Sequence, residues 1–208
     1  MSTAQRLAAG IDKLGLDLSA ETQQQLLAYG ALLMKWNRVY NLTAIRDEAS
    51  MIDLHLLDSL SILPHLAHVS RVADIGSGGG LPGIPLAICR PDCEVALIET
   101  VGKKTSFLLQ SKAQLGLANL SVHNLRVENF KPAELYPAVS SRAFASLLDF
   151  VTLTDHLLAP GGEWIAMKGQ YPQDELDALP TSIQLRESRR LQVPGVDAER
   201  HLLFLTRT

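Results

Sequence analysis

The sequence predicts an α/β fold: a Rossmann-like, mostly parallel sheet with an antiparallel C-terminal edge hairpin, preceded by an N-terminal helical extension. Three observations carry this. From Arg71 onward, short apolar runs alternate with stretches of helical period, the pattern of a parallel sheet covered by helices on both faces. Before Arg71 no strand pattern occurs. At the end, the strand-like runs 183–193 and 201–206 are separated by PGVD with no helix between them, which predicts a hairpin at one sheet edge.

In the extension, residues 1–69, Ser19 is placed to cap a helix with Leu26, Leu27, Leu33 and Met34 at helical spacing. That helix is expected to fade in KWNRVYNLTA, interrupted by Asn37 and Asn41. A second periodic stretch, with Met51, Leu54, Leu57, Asp58 and Leu60, runs to Pro64. In the Rossmann-like part, residues 70–208, strands are expected at 71–75, 94–99, 120–123, 138–142 and 163–168. Helices are expected at about 82–90, 102–115 and 145–158.

Composition bounds the function. The chain has 208 residues, 47% of them hydrophobic and 20% charged, enough for a buried core and unlike a disordered chain. No run reaches membrane-spanning length and the N-terminus lacks the apolar core of a signal peptide. Two cysteines, Cys89 and Cys93, do not make a disulfide framework and fit a reducing compartment. The expectation is a soluble, cytoplasmic protein. The net charge of −3 gives no overall basic signature, so a nucleic-acid partner needs a local basic face. His65 and His68 lack a third ligand, and no metal is expected.

The chemistry starts at residues 72–88, VADIGSGGGLPGIPLAI. A glycine loop between a first strand and the following helix lies where open parallel sheets bind ligands, and its backbone can approach a ligand closely. By itself such a cluster makes only a turn. A Walker loop is excluded, since no Lys-Ser or Lys-Thr follows. The dinucleotide pattern G-x-G-x-x-G fails at its third glycine, because from Gly76 and Gly78 it reaches Leu81. Asp74, two residues before the loop, fits a cationic ligand better than a pyrophosphate. Glu99 ends the next strand, where a carboxylate can accept ribose hydroxyls from either kind of nucleoside cofactor. S-adenosyl-L-methionine is the favoured ligand.

The acceptor is narrowed by what is missing. Cys89 and Cys93 flank Pro91 at the end of the first crossover helix, far from where a cysteine nucleophile would be needed; they read as small apolar residues. After the fourth strand the chain has SSRAF rather than the (N/D)-P-P-(Y/F) loop of amine methylation. Arg142 is the distinctive residue there, and an arginine cannot act as a base. An acceptor without a proton, such as guanine N7, requires none. Arg142 or Lys168 could then contact guanine O6, and both are the catalytic candidates.

The strings KWNRVYNLTAIRD, DIGSGGGLPGIPLAI, RVENF, SRAFAS, KGQ and ERHLL resemble, in order, the RsmG (GidB) family of 16S rRNA guanine-N7 methyltransferases. The resemblance runs from about residue 20 to 205. It implies a class I S-adenosylmethionine-dependent methyltransferase fold with an N-terminal helical extension. It further implies methyl transfer to N7 of the guanine at position 527, in the 530 loop of 16S rRNA. That rRNA would be met within the small ribosomal subunit or an assembly intermediate. Carried onto this chain, the resemblance places cofactor contacts at Gly76, Leu81, Val127, Glu128 and Arg142, beside Gly78 and Glu99 from the loop reading. Gly79 departs from the family, in which proline is common.

Lys103, Arg126 and Arg200 are candidate RNA-binding residues, with Lys104, Lys168, Arg189 and Arg190 as further basic positions. Arg189 and Arg190 are neighbours on a strand and face opposite ways. Other readings stay open: a small-molecule methyltransferase shares every cofactor residue. A non-enzymatic nucleoside-binding module needs only the loop. An NAD-dependent oxidoreductase is weakened by Asp74 and Leu81.

Overall fold

The computed structural model describes residues 1–142 and 144–208; Ala143, inside the string SRAFAS, lies outside the described residues. The chain opens with α1 (Thr3–Lys13), started by a reciprocal cap in which the Ser2 hydroxyl accepts from the Gln5 amide and the Gln5 side chain accepts from the Ser2 amide. Next come α2 (Ala20–Tyr40), capped by the Ser19 hydroxyl on the Thr22 amide, and α3 (Glu48–Met51). A π-helical stretch, Ile52–Leu57, leads into α4 (Asp58–Leu60) and a 3-10 turn at Leu63–His65.

Then the alternation begins: β1 (Arg71–Ile75), α5 (Gly83–Cys89), β2 (Glu94–Glu99), α6 (Gly102–Leu115), β3 (Leu120–Asn124) and β4 (Tyr136–Ser141). These are followed by α7 (Leu147–Thr154), β5 (Leu158–Lys168), α8 (Gln173–Asp177), β6 (Ile183–Arg190) and β7 (His201–Arg207). The strands form one sheet in the order β3-β2-β1-β4-β5-β7-β6. β1 to β5 pair in parallel, while β7 runs antiparallel to both β5 and β6. The carboxyl ends of β1 to β5 therefore share one edge, and the strand order reverses between β1 and β4. That reversal is where open α/β sheets hold their ligands.

Each sheet face buries its own core. On one side Leu26, Tyr29 and Leu33 of α2 join Ile84, Phe107 and Leu108 of α5 and α6, so the helical extension is packed into the sheet's own hydrophobic cluster. On the other, Leu147, Phe150 and Val151 of α7 cover Val139 and Trp164, whose indole N–H donates to the Thr154 hydroxyl at 2.9 Å. Among the described residues no helix is long and apolar enough to cross a membrane.

Two local expectations are corrected. Asn37 does not interrupt α2. It is buried inside it, where its side-chain amide donates to the Ile45 carbonyl at 2.7 Å and accepts from the Thr43 amide at 2.9 Å. A polar residue that can brace a following loop has no need to end its own helix. The helix ends at Asn41, left-handed at φ 49°, as short amides tolerate. The last strand pair is shorter on its first arm than expected, because residues after Arg190 leave the ladder; and α8, too polar and short to show a period, was not legible in the sequence.

Candidate active site

The β1–α5 turn follows from close packing at glycines. Gly76 has φ +68°, and a Cβ there would meet nothing within 4 Å; the loop turns at a conformation side chains avoid and faces open space. Gly83 is required by contact, since a Cβ would lie 2.3 Å from Leu97 and 2.9 Å from the Asp74 carboxylate. Asp74 itself is fully buried, accepting from the Gly83 amide and the Ser140 hydroxyl, each at 3.2 Å. Burial pushes its carboxyl up to about 7, against the lowering pull of those hydrogen bonds and of Arg142. The place of Asp74 before the loop predicts direct contact with a cationic ligand; instead it lies beneath the loop, where it holds β1, β4 and α5 together.

A cavity of about 390 Å³ opens at the carboxyl ends of β1 and β2. Gly76 forms part of it, with Glu99 and Thr100 at the end of β2. Arg126, Val127 and Glu128 line the far side, in the turn after β3. Leu125, Phe144 and Leu153 supply apolar wall. The Glu99 carboxylate accepts from the amides of Val101 and Gly78, both at 2.9 Å. A carboxylate has about four lone-pair sites, so it retains capacity for hydroxyl donors while it ties the glycine loop to β2.

Of the expected cofactor residues, this cavity gathers Gly76, Glu99, Val127 and Glu128. Gly78 reaches it through the bond to Glu99. Leu81 is buried in the core cluster and lines no part of the cavity. Arg142 points elsewhere, and Arg126, expected on the RNA side, lines the cavity instead.

The second cavity, about 320 Å³, lies at the ends of β4 and β5. His55, Asp58, Arg142, Lys168, Arg200 and His201 line it. It thus joins both catalytic candidates, Arg142 and Lys168, to Arg200, one of the RNA candidates. Asp58 is 2% exposed, and its carboxylate accepts from Arg200 at 2.8 Å and from Arg142 at 3.3 Å. The Lys168 ammonium is held by Glu175 at 2.8 Å, and the same carboxylate accepts from the Leu147 amide at 2.7 Å. Burial and the charge of Arg142 lower His55 to about 4. Its ring nitrogens face the Thr43 hydroxyl and the Leu54 carbonyl.

The two cavities flank a single segment. Ser141 ends β4 with its hydroxyl on the Ile75 carbonyl at 2.9 Å, beside Gly76. Arg142 then enters the second cavity, while Phe144 and Ala145 line the first.

The remaining candidates lie apart. Lys103 is exposed and Lys104 half-buried at the start of α6, in neither cavity. Arg189 pairs with Glu187, and Arg190 with Glu199 at 3.0 Å, on edge strand β6. Cys93 is buried and Cys89 partly so, both free, and burial pushes the Cys89 thiol up to about 12. Among the described residues no three of His, Cys, Asp or Glu are grouped to hold a metal. Asp58, His55, Tyr29 and Glu175 were missed as site residues; the available signal for Asp58 was a lone acid in the apolar stripe LHLLDSLSIL.

A glycine loop at the strand-order reversal, a carboxylate ending β2 and a cavity beyond β4 define a class I methyltransferase fold. The chain is similar to a ribosomal protein L11 methylase from Lactobacillus delbrueckii subsp. bulgaricus, with TM-score 0.55 at 18% identity, covering 73% of this chain and 77% of that one. TrmN from Thermus thermophilus gives TM-score 0.58 at 19% identity, over 83% of this chain and 53% of that one. Sequence similarity is closer. Residues 22–203 match the family described as rRNA small subunit methyltransferase G. A protein of that name from Aromatoleum aromaticum is 56% identical over 99% of both chains, and one from Neisseria meningitidis is 52% identical over the full length of both. The chain belongs to the rRNA small subunit methyltransferase G family.

Proposed function

We propose that this chain transfers the methyl group of S-adenosyl-L-methionine to N7 of a guanine in 16S rRNA, the position-527 guanine of the 530 loop. The observation that carries the reading is the pair of cavities on either side of the segment after β4, one with a nucleoside-sized lining and one lined by cations.

The first cavity fits the cofactor. Open space at Gly76 admits a ligand against the backbone. Glu99 has capacity for ribose hydroxyls, and Leu125, Val127, Phe144 and Leu153 offer apolar surface for a purine. Glu128, in the same lining, supports a contact to the exocyclic amine. When bound, the sulfonium supplies an electrophilic methyl.

The second cavity fits the acceptor. Guanine N7 carries a lone pair and no proton, so the transfer needs no base; His55, lowered to about 4, is a weak one, and its ring nitrogens face the Thr43 hydroxyl and the Leu54 carbonyl. That Arg142 and Lys168 both line this cavity supports a role for them in donating to O6, which would orient the base and leave N7 unengaged. The work left to the chain is alignment and exclusion of water. Arg200 adds positive charge for the phosphates. The substrate form in this reading is 16S rRNA within the small ribosomal subunit or an assembly intermediate.

Titration calorimetry tests the cofactor half. Saturable binding of S-adenosylmethionine, with none of NAD, is expected; NAD binding in its place would return the oxidoreductase reading.

A further inference from the structure

Asp58 is the most buried charge in the second cavity, and no chemistry in the transfer requires it. It follows the π-helical stretch Ile52–Leu57, a local widening of the kind that re-aims side chains at functional sites. Its side chain is 3% exposed, against 28% for Arg142 and 24% for Arg200. One carboxylate oxygen takes Arg142 from the segment after β4; the other takes Arg200 from the start of β7. Arg200 is further fixed by donating to the Glu199 carbonyl at 2.8 Å. The carboxylate therefore bridges the two guanidiniums, and both line the cavity with N–H donors beyond those that Asp58 takes.

We propose that Asp58 is a positioning residue of the acceptor site, holding Arg142 and Arg200 as a fixed pair against the target nucleotide without touching it. This rests on the functional reading above. A guanidinium has five N–H donors in a planar fork, so anchoring one edge sets the direction of the others. Without Asp58, Arg142, Arg200 and Lys168 would share one cavity as like charges, relieved among the described residues by Glu175 on Lys168. The arginines would then turn toward water and lose their common aim. Because Asp58 joins residues 84 and 142 positions away, it also ties the helical extension to both ends of the acceptor cavity.

The test compares Asp58→Asn and Asp58→Glu with wild type, using small subunits that lack the modification. Methyl transfer, S-adenosylmethionine affinity by calorimetry and thermal unfolding are all read. Asp58→Asn, which keeps the shape and loses the charge, should lower kcat/KM on the order of 10²-fold, the effect of a misaligned acceptor. Cofactor affinity should stay unchanged and the unfolding transition cooperative. Asp58→Glu should recover part of the rate, because the charge returns one methylene displaced. Adding Arg200→Lys to Asp58→Asn should cost less than the product of the single losses, since both act on one geometry. Wild-type rates in Asp58→Asn would overturn the proposal, as would cofactor affinity and stability falling in step with rate, or losses that multiply. No transfer by the wild-type protein would overturn the functional reading and this role together; transfer by wild type and Asp58→Asn alike would overturn the role alone.

Discussion

Gly76, Asp74 and Lys168 each make a separable contribution to the site. Gly76 combines a left-handed backbone with open space ahead of its missing side chain. Gly76→Val should cost about 1–3 kcal/mol of stability for the strained backbone and abolish cofactor binding in a protein that still folds; calorimetry showing undiminished affinity would move the site elsewhere. Asp74 gives a pH signature. Its folded-state carboxyl lies near 7, above its unfolded value, so the folded state holds the proton more tightly. That contribution is complete at low pH and is lost as pH rises through about 7. Asp74→Asn, whose amide oxygen can accept from Gly83 while its N–H donates to a reversed Ser140 hydroxyl, should gain on wild type in denaturant titrations between pH 5 and pH 8; parallel curves would deny the raised value. Lys168→Ala should reduce methyl transfer more than cofactor affinity, since Lys168 lines the second cavity and not the first. Equal losses in both would make it a structural or cofactor residue.

Among the elements, the contact between α2 and the glycine loop is what the family extension adds to the sheet. Tyr29, fully buried on α2, donates its hydroxyl to the Gly79 carbonyl at 2.5 Å. Tyr29→Phe leaves that carbonyl without its partner and should cost about 1–3 kcal/mol, with weakened cofactor binding because the loop loses its brace. Loss of stability with cofactor affinity untouched would separate α2 from the site. The sequence showed α2 by its Ser19 cap and leucine spacing, and the strands by short apolar runs alternating with helical stretches. It could not show the π-helical stretch, because Met51, Leu54, Leu57 and Leu60 keep a plausible helical period on paper while the backbone widens between them. Nor could it show that Asp74 lies under the loop rather than facing the ligand: burial on both faces of a central strand leaves no polar alternation to read.

Across the whole molecule, charge and topology divide the labour. A net charge of −3 gives no long-range attraction to RNA, so the proposed function assigns that attraction to the cations gathered at the ends of β4 and β5 and the start of β7. The lining of the first cavity was legible in the sequence where strand, glycine loop, helix and the Glu99 strand end follow one another in the chain. The second cavity was legible only in pieces: Arg142, Lys168 and Arg200 stood out as strand-end cations, but Asp58 and Glu175, which hold them, come from distant segments that only the fold brings in. The most direct test is methyl transfer from labelled S-adenosylmethionine to small subunits from a strain lacking this activity, with the modified base mapped. Label at a single guanine N7 in the 530 loop is the predicted result. Label at another atom or another base, or none despite demonstrable cofactor binding, would contradict the account and favour a small-molecule acceptor.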